Sequence, residues 1–154
     1  MNPKVSNRKV LGIDIAIRAH NRAAIETHPM ASRIQMIQGS NIAADIIAQV
    51  RAFAAKYKRV LVCLESNHTH DHVLAELNAY AQLTSVGSYC VVFDTLVEDL
   101  PKEMFPSRPW GPDNKPMTAV RRVGNSIIQM PIKYKRWART RQVPLFTYLH
   151  PAIT

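Results

Sequence analysis

Acidic residues are scarce in the last third of this 154-residue chain, where residues 101–154 hold two Asp and Glu against ten Lys and Arg. Residues 1–100 hold nine acidic against ten basic side chains, so nearly all of the net charge of +9 belongs to the C-terminal third. Such a localised excess suits a phosphate-binding tail, a solvated surface or an atypical C-terminus. Long apolar runs are lacking too: none approaches the roughly 18 residues that cross a bilayer. The polar start MNPKVSNRKV does not read as a signal peptide. Only two cysteines occur, Cys63 and Cys90, each inside an apolar strand-like run. That is too few for a disulfide framework and reads as a pair of reduced core thiols. Together these absences argue against a membrane or secreted protein and place the chain in the cytoplasm.

What is present, from residue 8 to 95, is an alternation of short apolar runs with helix-like segments. Lys9–Ile15 is a β-branched run ending near Asp14, and His20–His28 reads as a helix closed by Pro29. Arg33–Ile37 forms a second short strand, stopped by Gly39. Ser40 or Asn41 caps a helix whose apolar positions Ile42, Ile46, Val50, Phe53 and Tyr57 recur at spacings of three and four. Arg59–Leu64 is nearly all apolar, the pattern of a strand covered on both faces. Thr69–Leu83 is helical, with Val73, Leu77, Tyr80 and Ala81 on one face, and Tyr89–Phe93 is another buried-type strand. This order predicts a parallel α/β sheet with right-handed crossovers. Five prolines between residues 101 and 116 predict loop, Met117–Val123 a short helix, and beyond Gly124 no clear period emerges.

In parallel sheets ligands bind beyond the carboxyl ends of the strands. The polar residues at those ends are Asp14, Gly39, Ser40, Glu65 and Asp94, which are expected on one rim. An acidic residue in the position of Asp14 commonly accepts hydrogen bonds from ribose hydroxyls, and it also serves as a helix cap or solvated carboxylate. Gly39-Ser40 allows close approach of a ligand to the backbone, or simply makes a turn and cap. The densest polar stretch is Glu65-Ser66-Asn67-His68-Thr69-His70-Asp71-His72. Two metal readings compete there. Glu65 with Asp94 offers hard oxygen ligands to Mg²⁺. Alternatively the histidines bind zinc, but the H-x-H-x-D-H pattern is one residue short and only His150 follows downstream. The plainer reading leaves His70 and His72 on a solvated loop and the first turn of a helix.

Two stretches, GIDIAIRAHNRAAIETHPMASRIQMIQGSNIAADIIAQV and VLVCLESNHTHDHVLAELNAYAQLTSVGSYCVVFDT, closely resemble the cephalosporin hydroxylase and rhamnosyl O-methyltransferase-like family. The resemblance covers about residues 9–100 and the segment KPMTAVRRV. It rests on the HNR and HP-x-x-SRI pairing, the GS after a strand and the ELxxYxxLxxxGxY segment. It implies a three-layer Rossmann-like class I methyltransferase fold with a mixed seven-stranded sheet. It implies S-adenosylmethionine as cofactor and, in relatives, Mg²⁺. On this resemblance Asp14 faces the cofactor ribose and Gly39-Ser40 lie near the adenine. Metal ligands fall at Glu65 and at positions 93 and 94, and His68 is a candidate general base or metal-shell residue.

The chain departs from the family in four places. Glu65 stands where the family has aspartate, and Phe93-Asp94 where it has a Glu-Asp pair. The first strand and its glycine-rich loop have no counterpart in Met1–Lys9. The strand pairs on either side of it then lose their central partner unless they close up or borrow a strand. Gly124–Thr154 does not resemble the family's two final antiparallel strands. The expected organisation is a partial methyltransferase domain over residues 1–124 and a basic tail over 125–154. A truncated or frame-shifted gene product would join these observations.

The function expected from the resemblance is an O-methyltransferase, active or degenerate, acting on a hydroxyl of a sugar or secondary metabolite. A nucleic-acid- or phosphate-binding protein using the basic third, with Tyr134, Trp137 and Tyr148 for stacking, is the less favoured reading. A third is a non-catalytic remnant pairing with an intact homologue through an exposed sheet edge, or a homo-oligomer.

Overall fold

The computed structural model describes residues 8–95, 103, 106–111, 113–126, 133–137 and 145–149. The chain divides into two compact units, residues 1–50 and 51–154.

The first unit is built on strands β1 (Val10–Asp14) and β2 (Ile34–Gln38), paired in parallel from Val10↔Ile34 to Asp14↔Gln38. Helix α1 (Ala19–Glu26) makes the connection, as the sequence predicts, and Thr27 ends it by turning its hydroxyl back onto the Ala23 carbonyl at 2.9 Å. A 3₁₀ turn, Ala31–Arg33, leads into β2. Helix α2 (Ala44–Ala54) follows, its last four residues lying in the second unit. It begins later than the apolar spacing suggests, because Ser40–Ala43 forms a turn of its own with an Ala43 N–H to Ser40 C=O bond of 3.0 Å. Ile42 is therefore outside the helix and 38 % exposed, whereas Ile46 is buried.

The second unit holds the core. Strands β3 (Val62–Leu64) and β4 (Tyr89–Val92) pair in parallel through helix α3 (His70–Tyr80), with a 3₁₀ turn at Ala81–Leu83. Helix α4 (Pro116–Ser126) packs on α3. Val73, Leu77 and Tyr80 of α3, Cys90, Val91 and Val92 of β4, and Met117, Val120 and Val123 of α4 are all buried. Each such aliphatic side chain contributes about 1.5–3 kcal/mol by leaving water.

Three expectations change here. β3 is only three residues long, because Val60 exchanges its backbone bonds with Ser85 instead of a strand: its N–H reaches Ser85 Oγ at 2.9 Å and its C=O takes the Ser85 N–H at 3.2 Å. Nor is β3 covered on both faces among the described residues. Leu64 is buried while Leu61 and Cys63 are exposed, the alternation of a half-covered strand. Cys63 is thus a free thiol at the surface, and only Cys90 is a core thiol. Third, the C-terminal segment does form antiparallel strands, β5 (Lys133–Trp137) and β6 (Leu145–Leu149). They pair with each other, and β6 pairs with β4, giving the order β3-β4-β6-β5. The rest of residues 127–154, and the side chains offered for base stacking, lie outside the described residues. Among the described residues β1–β2 and β3-β4-β6-β5 are separate sheets.

Candidate active site

In the first unit Asp14, Gly39 and Ser40 gather at the carboxyl end of the β1–β2 pair. The Gly39 N–H donates to the Asp14 carbonyl at 2.9 Å, extending the ladder by one rung. Gly39 has φ +157°, and a Cβ there would stand 3.0 Å from Ile46 Cδ1. Only glycine lets β2 turn so tightly under the start of α2. Asp14 is exposed, and its Oδ1 accepts the Ala16 N–H at 2.9 Å. It does not cap α1, whose N-cap residue is Arg18. A carboxylate has about four acceptor sites, so one backbone bond leaves capacity for a pair of hydroxyls.

In the second unit the carboxyl ends of β3 and β4 carry the remaining candidates. The Phe93 N–H donates to the Leu64 carbonyl at 3.0 Å, and the chain then turns at Asp94, which has φ +53°. This left-handed conformation is uncommon for a residue with a Cβ and is best tolerated by Asn and Asp. It brings Asp94 Oδ2 to 2.8 Å from His68 Nε2. An ionised carboxylate only accepts, so Nε2 is the donor of this pair and Nδ1 is the ring nitrogen turned away from Asp94. The Trp110 ring meets the His68 ring edge-on, with centroids 6.2 Å apart. Glu65 follows directly after β3 and is exposed.

The loop between β3 and α3 is held at several points. Asn67 Oδ1 accepts the Thr69 N–H at 2.9 Å, and Ser66 Oγ donates to Glu76 Oε1 at 2.8 Å. Thr69, at the N-cap of α3, makes no side-chain capping bond. The first helical N–H, that of His70, is instead received at 2.8 Å by Asn114 Oδ1 from 44 residues away. Asn114 Nδ2 in turn donates to the Pro109 carbonyl at 3.2 Å, tying the Trp110 segment to the helix start. His70 Nδ1 lies 2.7 Å from Thr118 Oγ1.

The three histidines thus have separate surroundings. His68 faces Asp94, His70 faces Thr118, and burial pushes the His72 imidazole below its ordinary range. His70 and His72 do lie in the first turn of α3, but both are half-buried rather than solvated. Among the described residues no three His, Cys, Asp or Glu side chains gather to hold a metal ion, which removes the zinc-cluster reading. Glu65 and Asp94 are both hard oxygen donors, of which Mg²⁺ commonly takes one or two while keeping its waters. Burial pushes the Cys90 thiol up to about 12, and raises Cys63 with help from the Glu65 charge. Glu76 and Asn114 were missed in the sequence. Glu76 does leave a trace, a carboxylate at an apolar-stripe position between Val73 and Tyr80; Asn114 leaves none.

The family model for rhamnosyl O-methyltransferase/CmcI matches residues 1–138. The chain belongs to that family. This chain is similar to MycE, a methyltransferase of the mycinamycin biosynthetic pathway solved with Mg and S-adenosylhomocysteine, at TM-score 0.59 and 16% identity. The similarity covers 93% of this chain and 36% of MycE. The MycE complex that also contains mycinamycin VI aligns at TM-score 0.56 and 15% identity, with the same coverage. A protein of Corynebacterium glutamicum aligns at TM-score 0.56 and 12% identity, over 95% of this chain and 62% of its own. The chain therefore spans about a third of MycE. Curated protein sequences gave no match. The fold is the Rossmann-like class I methyltransferase fold.

Proposed function

We propose that this chain carries the cofactor-facing and acceptor-activating parts of an S-adenosylmethionine-dependent O-methyltransferase acting on a hydroxyl of a sugar or secondary metabolite. The observation that carries the reading is the His68–Asp94 pair at the carboxyl ends of β3 and β4, in a chain of an O-methyltransferase family. With Nε2–H held by Asp94, His68 presents Nδ1 as the base that takes the proton of the acceptor hydroxyl. Asp94 fixes the tautomer and stabilises the imidazolium once it forms. When bound, S-adenosylmethionine supplies an electrophilic methyl group to the acceptor oxygen. Asp14 fits the ribose hydroxyls and Gly39-Ser40 the approach of the adenine. Glu65 and Asp94 are the carboxylates that would hold Mg²⁺, whose charge lowers the pKa of a nearby hydroxyl.

The test is calorimetric titration of the purified chain with S-adenosylhomocysteine, with and without Mg²⁺. Micromolar binding that Asp14→Ala weakens supports the reading, and no binding by a folded sample overturns it. With an acceptor in hand, His68→Ala is expected to lower kcat by about 10²-fold or more, the usual contribution of a positioned base.

A further inference from the structure

We infer that Glu76 is a positioning residue for the loop that carries Glu65 and His68, acting through Ser66. Glu76 is 2 % exposed, in the midst of the apolar face of α3, between buried Val73 and Tyr80. A carboxylate there is expensive to desolvate, and a leucine would follow the stripe and fill the position without that penalty. The charge lies close enough to Tyr80 and Cys90 to raise the pKa of both, after the larger effect of their burial.

The carboxylate reaches the loop. Its Oε1 accepts the Ser66 hydroxyl at 2.8 Å. Ser66 follows Glu65 and precedes His68 by two residues, in a stretch that has no helical or strand bonds of its own. Asn67 and Asn114 tie down only the far end of this loop, at Thr69 and His70. The Ser66–Glu76 bond ties down the near end, so the span bearing His68 is fixed at both sides. A hydrogen bond to a charged acceptor is among the stronger kinds in proteins, which suits a rigid support for a side chain that must meet Asp94 at 2.8 Å.

The catalytic part of this inference rests on the proposed methyl transfer, and the experiment separates the two. Amide hydrogen exchange is measured on the intact chain and on Ser66→Ala, Ser66→Thr and Glu76→Gln. Ser66→Ala is expected to speed exchange of the Thr69 and His70 amides by about tenfold or more, with Leu77 and Val92 unchanged. Ser66→Thr, which keeps the hydroxyl, is expected to restore protection, and Glu76→Gln to give an intermediate value. Where methyl transfer is measurable, Ser66→Ala lowers kcat with the KM for S-adenosylmethionine unchanged, and Ser66→Thr recovers it. Unchanged loop exchange in Ser66→Ala, or equal acceleration throughout α3 and β4, overturns the positioning role. A chain that transfers no methyl group but shows the loop response keeps the positioning role and overturns the function.

Discussion

The two thiols differ in accessibility and both are held protonated. Cys63 is exposed and raised, whereas Cys90 is buried and raised to about 12. Since the thiolate is the reactive form, titration of the native protein with a disulfide reagent is expected to modify Cys63 alone, more slowly than a free thiol. Cys90 should react only after denaturant, and two fast native thiols would contradict this arrangement. The half-buried His72 gives a pH dependence of known sign. Its folded pKa lies below the unfolded value of about 6.5, so the unfolded chain binds the proton more readily. Stability is therefore complete above pH of about 6.5 and falls as pH drops through the lower, folded pKa. His72→Gln is expected to flatten that acid-side loss in urea unfolding measured between about pH 7 and pH 5.

At the scale of elements, the junction of β2 with α2 depends on a single small residue. Alanine at position 39 must adopt a positive φ and press its Cβ to 3.0 Å from Ile46 Cδ1. Gly39→Ala is expected to destabilise the protein by about 1–3 kcal/mol, read as a lower urea midpoint. Adding Ile46→Val removes the crowding atom but not the backbone strain, so only part of the loss should return. The helices were readable in place: α1, α3 and α4 lie within a few residues of His20–His28, Thr69–Leu83 and Met117–Val123, and α3 buries the apolar face its spacing picks out. α2 began late because Ser40–Ala43 closes its own turn, and β3 was shortened by Ser85. Both are competing local hydrogen bonds, which hydrophobic period does not register.

For the molecule as a whole, the four-stranded sheet ends in β5 on one side. The other edge is β3, which among the described residues has no further strand partner and is preceded by Leu61 at 57 % exposure. The chain is expected to self-associate with rising concentration through the β3 edge, and Leu61→Lys to weaken that association. Sedimentation velocity across a hundredfold concentration range checks it; a constant monomer mass for the unmutated chain would refute it. No described helix is long and apolar enough to cross a membrane.

The sequence by itself determined the α/β order, the apolar faces of the helices, the strand-end residues Asp14, Gly39, Glu65 and Asp94, and the family. These follow from local periodicity, turn chemistry and short motifs, which neighbouring residues suffice to define. Only the tertiary structure decided that His68 meets Asp94, that Asn114 receives the first N–H of α3, and that Glu76 holds Ser66. It also decided that Lys133–Trp137 and Leu145–Leu149 pair as strands, although neither segment has a period that announces it. A polar side chain in an open chain is satisfied equally well by water. Its partner is fixed only when folding removes that water and leaves a single group within reach.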